Sequence, residues 1–482
     1  MADERCPECV ERENRPAPLL GRRDVLRSAS CGFGMLALAG LLGDEARAEP
    51  DKGGRPQPRA KSVILCFMDG GPSHVDTFDP KPALTKHQGK AIGAEAVSKK
   101  SQSGANRVWM GSPWKFRQRG GSGLWVSDLL PYIADCADDL CVLRSLVGEQ
   151  PLHGQQSLLL HTGRVTGQAP SFGSWVSYGL ASGNANLPGY VLLNNDWIPN
   201  GGLENFSSSF LPAAHAATTV RARGVAVDDI IPGDPPAVQR RKLGLLADQD
   251  RGFAATTADG DLIESAIQNY ETAFRMQTAV PEVADVSGES PAIRRLYGLD
   301  RGDDYQRFYA LQCLRARRLV ERGVRFVEIT CPLTHANNSP WDQHGELKKY
   351  HTENARITDQ PVAALIVDLK RRGLLDSTVV VWAGEMGRTP HTTAVKETAG
   401  RDHHVNGYTI FLAGGGFRGG ITYGATDDFG NSVVENPLTI HDVHATILHQ
   451  LGLDHEQLVF RYGGRDQRLT DVHGRVVREI LA

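Results

Sequence analysis

KSVILCFMDGG (residues 61–71) is a continuous apolar run, rich in β-formers, that stops abruptly at an aspartate and two glycines. Apolar residues at successive positions leave neither face polar, so the run predicts a strand buried on both sides, ended by the Asp69-Gly70-Gly71 turn. VRFVEIT (324–330), STVVVWAGE (377–385) and GYTIFLAGGG (407–416) repeat the pattern. Amphipathic helical patterns precede two of them, YQRFYALQCLRARRLVERG (305–323) and TDQPVAALIVDLKRRGLL (358–375). In the latter, Val362, Leu365, Ile366 and Leu369 share one face, and Gly373 is the expected stop. Strands alternating with helices predict an α/β fold with a mainly parallel central sheet flanked by helices. Residues 195–300 read as a mostly helical insertion or cap on the same domain, without clear strands.

The chain has 482 residues, enough for one large domain or two ordinary ones. Its 53 Lys and Arg against 56 Asp and Glu give no basic field to attract nucleic acid. Residues 1–48 read as an address: Arg22-Arg23, then Leu26 and Arg27, then the apolar run GFGMLALAGLL, then Ala46-Arg47-Ala48. This pattern resembles a twin-arginine export signal, which implies the export machinery as a partner and a periplasmic or secreted location. A polar linker at 49–60 leads into the domain at 61–482. No later segment approaches the roughly 18 apolar residues of a membrane span. Beyond the leader, Cys66, Cys136, Cys141, Cys313 and Cys331 are odd in number, which argues against a disulfide scaffold and leaves room for one bridge.

Four segments put metal-type ligands just after apolar strand candidates. They are MDGGPSHVDTFD (68–79) with Asp69, His74, Asp76 and Asp79; WDQHGE (341–346) with Asp342 and His344; WAGEMGRTP (382–390) with Glu385 and Arg388; and GRDHHVNG (400–407) with Asp402, His403 and His404. Singly, each has an ordinary explanation: a turn cap for Asp69, a solvated loop for Asp342 and His344, a helix dipole partner for Glu385. In open α/β sheets, however, loops beyond the strand ends converge on one crevice. Carboxylates with imidazoles suit zinc, manganese or iron, and an oxygen-dominated subset suits calcium or magnesium. Arg388 is a candidate for gripping an anionic oxygen with its planar fork, or for a surface ion pair.

The order of these motifs resembles the alkaline phosphatase and sulfatase superfamily, and more closely its bacterial branch called domain of unknown function 1501. DGGPSHVDTFDPKP, LHTGR, ARRLVERGVRFVEIT, WDQHG, GRTP, GRDHH and the tail HDVHATILHQLGLDHEQLVFRYGGRDQRLTDVHG carry the likeness over residues 61 to about 475. The resemblance implies a metal-dependent hydrolase of sulfate or phosphate esters, on a small anionic ester or a sulfated or phosphorylated polysaccharide. It implies Asp69, Asp342, His344, Glu385 and His403 or His404 as ligands to one or two divalent ions. Sulfatases place a formylglycine precursor, then Pro-Ser-Arg, ahead of Thr-Gly-Arg. In EQPLHGQQSLLLHTGR (149–164) that spacing puts His153 at the nucleophile, Gln155 at the proline and Ser157 at the arginine. No formylglycine arises from His153. It is left as a metal ligand with water attacking, as a phosphoryl-accepting nucleophile, or as a general acid or base. Met386 stands where a further ligand histidine is expected, which makes one metal as reasonable as two. Two competing readings stay open: a non-catalytic metal-containing binding or structural protein, and an isomerase or transferase using Ser73 or Ser157. His441 and His444 read as packed residues of an amphipathic helix, and Arg164 as a support for its turn.

Overall fold

In chain order the strands that matter are β1 (Ser62–Phe67), β2 (Leu140–Leu146), β3 (Tyr190–Asn194), β4 (Thr218–Arg221), β5 (Phe326–Thr330), β6 (Thr378–Ala383), β7 (Gly387–Arg388), β8 (His403–His404), β9 (Tyr408–Ala413) and β10 (Ile421–Tyr423). The computed structural model describes residues 56–482 apart from 94–103, 105, 225, 228, 229, 232, 258, 259 and 336–338. The expected export signal and the first part of the linker lie outside the described residues.

Eight strands form one sheet in the order β10-β2-β9-β6-β1-β5-β3-β4. β1 sits between β5 and β6, parallel to both. Only β9 runs against its neighbours β6 and β2. The central position of β1 explains its unbroken apolar run: Ile64, Cys66 and Met68 enter the core on one face, Val63, Leu65 and Phe67 the core on the other. The first core is closed by helices α5 (Asp304–Glu321) and α6 (Leu347–Arg371), the second by α1 (His153–Thr162), α2 (Phe172–Leu180) and α7 (Ile440–Gln450). This is the expected α/β architecture.

Asp303 caps α5 by accepting from the Gln306 backbone N–H. α6 ends at Arg371, and Gly373 follows with φ of 68°, the left-handed stop expected from its position. Residues 195–300 contribute α3 (Pro236–Ala254) and α4 (Gly260–Ala284), as the helical pattern indicates. They also give β4 to the sheet edge, in parallel register with β3. Four residues, TTVR, carry too little pattern to mark a strand without its neighbour. Cys66, Cys136, Cys141, Cys313 and Cys331 are all buried and free. No helix among the described residues is long and apolar enough to cross a membrane.

Candidate functional site

The carboxyl ends of β1, β2, β3, β5 and β6 point to the same edge of the sheet, because these strands are parallel. Beyond β1 the chain turns at Gly70, whose φ of 104° L side chains rarely adopt. A Cβ there would lie 2.6 Å from the Asp342 backbone nitrogen. The glycine therefore lets the 341–342 backbone close on the end of β1, where Trp341 N–H donates to the Asp69 carbonyl at 2.9 Å. Gly70 N–H donates to Glu385, at 3.1 and 3.0 Å from its two oxygens. Adjacent strands β1 and β6 thus bring Asp69, Asp342 and Glu385 to one place.

Asp342 Oδ1 is the hub. Around it lie Arg388 Nη1 at 2.7 Å, His344 Nε2 at 3.1 Å, His403 Nε2 at 3.3 Å and His153 Nε2 at 3.4 Å. Each imidazole is fixed through its other nitrogen. His344 Nδ1 donates to Asp402 at 2.9 Å, His403 Nδ1 to the Pro151 carbonyl at 2.9 Å, and His153 Nδ1 to Glu385 Oε1 at 2.5 Å. With Nδ1 carrying the hydrogen, neutral rings turn their Nε2 lone pairs inward. Those of His344 and His403 are 3.0 Å apart. Such an arrangement is stable only with a cation, proton or metal, among the lone pairs.

The ribbon of β7 and β8 places two of these groups, with Arg388 opposite His403 and Gly387 opposite His404. Successive strand side chains point to opposite sides, so only one of the paired histidines reaches the hub. It is His403. His404 faces away, stacked on His74 at 6.2 Å and donating from Nε2 to the Asn431 carbonyl at 2.9 Å. GRDHHVNG precedes a strand rather than following one; it reaches the site edge because β9 is antiparallel and begins there. His153 opens α1, and Gln156 ties that turn down by accepting from Glu149 and Gln150 N–H and donating to the Glu385 carbonyl at 3.1 Å.

Arg388 is fully buried. Besides Asp342, its N–H groups go to the carbonyls of Gly70, Gly71 and Arg401. It is neither a surface ion pair nor open to an arriving anion: the anionic oxygen it grips is that of Asp342. His74, Asp76 and Asp79 lie outside the cluster. His74 bonds the Gly430 carbonyl, Asp76 forms a buried pair with Arg401 at 2.7 Å, and Asp79 pairs with Lys81 at 3.0 Å.

Burial would raise the Asp342 carboxyl, but Arg388 and the three imidazoles hold it far below the usual carboxylate range. Burial also works against protonated His153, yet Asp342 and Glu385 prevail and carry it up to about 9. For His403 burial wins and takes it down to about 4. His344, 43% exposed, is raised by its bonds to Asp342 and Asp402. Asp69 is pushed up to about 7 by burial and by the neighbouring Glu385, with Trp197 Nε1–H donating to its Oδ2 at 2.8 Å. Its Oδ1 is buried and has no partner, and neither has His153 Nε2 a hydrogen-bond partner.

A family model described as Protein of unknown function (DUF1501) matches residues 60–481. The chain belongs to that family. No curated protein matches this DUF1501 chain. Solved structures similar to it include the PsFucS1 sulfatase from Pseudoalteromonas sp., with TM-score 0.35, 14% identity and coverage of 87% of this chain and 71% of that one. A phosphonate monoester hydrolase from Silicibacter pomeroyi gives TM-score 0.34, 12% identity and coverage of 88% and 76%. An alkaline phosphatase superfamily protein from Vibrio parahaemolyticus gives 0.33, 10%, and 87% and 74%.

In the DUF1501 chain, Arg164 of LHTGR reaches the C-terminal segment, donating to Gln467 at 2.8 Å. His441 and His444 bond the carbonyls of Gly163 and Leu160, packed against α1 and away from the hub. Trp197 joins the site from outside every quoted motif, while Gln156 and the Pro151 carbonyl join it from within EQPLHGQQSLLLHTGR without having been singled out. Trp197 lies three residues beyond the strand-end Asn194, and the position of β3 beside β5 brings it to Asp69.

Proposed function

We propose that this chain is a metal-dependent hydrolase of sulfate or phosphate esters that uses no formylglycine. We also propose, from its leader, that it is exported by the twin-arginine route to the periplasm or beyond. The observation that carries the first reading is the convergence of His153, Asp342 and His403, whose donor atoms lie within 4.8 Å of one another. Ligands 2.0–2.1 Å from a tetrahedral ion stand about 3.3 Å apart, and the spacings to Asp342 Oδ1 have that size. His153 Nε2, which faces Asp342 Oδ1 at 3.4 Å without a hydrogen bond, fits the same purpose. Two imidazoles with a carboxylate favour zinc or manganese over calcium.

A divalent ion bound there supplies Lewis acidity toward an ester oxygen and a lower pKa for water. The protein does the rest. Glu385, Pro151 and Asp402 orient the imidazoles. Arg388 holds Asp342 ionised and in place. His344 forms the open edge at which an ester arrives. Asp69, beside Glu385 and with no hydrogen bond to its Oδ1, is the carboxylate available to exchange the proton of the attacking or leaving oxygen. His153 is a ligand in this scheme: its Nδ1 is anchored on Glu385 and its Nε2 faces the hub.

The second reading, a metal-holding protein without turnover, draws support from Arg388, whose burial withholds its guanidinium from a substrate anion. Aryl phosphate and aryl sulfate hydrolysis by the metal-loaded protein, its chelated form and His153→Ala separates the two. Turnover lost on chelation and in the variant supports the hydrolase. Bound metal with no turnover on either ester supports the second reading.

A further inference from the structure

A cleft of about 770 Å³ is lined by none of the residues gathered around Asp342. Its walls come from the segment after β1, from the hairpin formed by Phe116–Arg119 and Leu124–Ser127, and from β2. The volume suits a small ligand. Three cations line it, Lys81, Lys115 and Arg144, and the described lining holds no carboxylate. Lys81 is already paired with Asp79 at 3.0 Å. Arg144 is not comparably satisfied. Its Nε is 3.9 Å from Asp79, too far for a hydrogen bond, and both Nε and Nη2 are buried with no partner. Asp79 is meanwhile committed to Lys81 and the Thr426 hydroxyl. Those two donors are walled off from the cleft; what Arg144 offers a ligand there is the rest of its fork, the side chain being 15% exposed, beside the exposed Lys115.

The same cleft is lined by Trp114, Phe116 and Trp125, and Trp125 is 41% exposed. An exposed indole beside cations offers a flat apolar platform next to a planar donor fork. Guanidinium forks match sulfate, phosphate and carboxylate oxygens, and indole faces accept the apolar face of a ring. We propose that this cleft binds an acidic saccharide, its sulfate, phosphate or carboxylate held by Arg144 and Lys115 and one sugar ring laid on Trp125. The site is separate from the metal cluster and does not depend on the function proposed above.

The test is calorimetric titration of the full chain, stripped of metal, with four probes: sulfated maltotetraose, unsulfated maltotetraose, inorganic sulfate and p-nitrophenyl sulfate. The sulfated sugar is expected to bind most tightly and to change tryptophan fluorescence. Arg144→Met is expected to weaken it at least tenfold, the scale of a lost charge-assisted bond, while thermal stability holds or rises because the arginine has no full partner to lose. Trp125→Ala is expected to abolish the preference for the sugar over inorganic sulfate. Should Arg144→Met fold poorly, Lys115→Gln carries the test with a smaller loss. No binding of the sulfated sugar, or binding unchanged in these variants, overturns the proposal. Inorganic sulfate binding as tightly reduces the cleft to an ion site, and tighter p-nitrophenyl sulfate makes it an aryl-anion site; either result overturns the saccharide assignment.

Discussion

Glu385→Gln separates a residue that orients a metal ligand from one that is itself a ligand. Glu385 Oε1 accepts from His153 Nδ1 at 2.5 Å, and both of its oxygens accept from Gly70 N–H. A glutamine keeps one acceptor for Gly70, so the strand-end turn survives. It loses the charge that anchors His153 and makes its Nε2 a better donor. Partners of this kind contribute roughly 10- to 100-fold in metal affinity, or about 1.4–2.8 kcal/mol. Competition titration of zinc against a fluorescent chelator at fixed pH reads this directly, with stoichiometry measured alongside. The expected result is a weaker site with unchanged stoichiometry. Unchanged affinity would show that the His153 anchor has no part in metal binding. Complete loss of the ion would make Glu385 a direct ligand and refute its supporting role.

The paired histidines offer a sharper contrast: His403→Ala is expected to lose the metal, while His404→Ala keeps full metal content and costs only stability, as read by elemental analysis and thermal melts. Gly70→Ala combines a disfavoured φ with a Cβ 2.6 Å from backbone. It is expected to destabilise the fold by roughly 2 kcal/mol or more and to reduce metal content, measured by denaturant unfolding and metal analysis. Asp359, buried on α6, is pushed up to about 7 by burial, against the opposing pull of Tyr132 and Ile133 N–H groups. Because its folded pKa is raised, its contribution to stability is greatest below about pH 4 and is lost as pH rises through 7, by up to about 4 kcal/mol. Unfolding of the wild type and Asp359→Asn across that range is expected to show the variant gaining relative to the wild type. Parallel pH profiles for the two proteins would contradict it.

The fold was legible where burial on two faces leaves an unmistakable pattern. SVILCF and TVVVWA are continuous apolar runs because β1 and β6 are interior parallel strands. TTVR was not legible, since an edge strand of four residues borrows its identity from β3. Asp69, Asp342, His344, Glu385 and the 403–404 pair are gathered at one edge or beside it because their motifs flank the sheet. The choice between His403 and His404 depended on the β7–β8 register, which two-residue strands do not advertise. Arg388 was singled out by its motif as gripping an arriving anion, but it is buried against Asp342, and nothing local reveals that a guanidinium faces a neighbouring carboxylate instead of solvent. Trp197 and the Pro151 carbonyl left no mark, being an ordinary loop residue and a main-chain oxygen.

The most direct measurement is the anomalous difference density of crystals grown with zinc. The account predicts one strong peak about 2.0–2.2 Å from His153 Nε2, His403 Nε2 and a carboxylate oxygen of Asp342. A peak beside His404 and His74, or none near Asp342 in zinc-replete crystals, would contradict it.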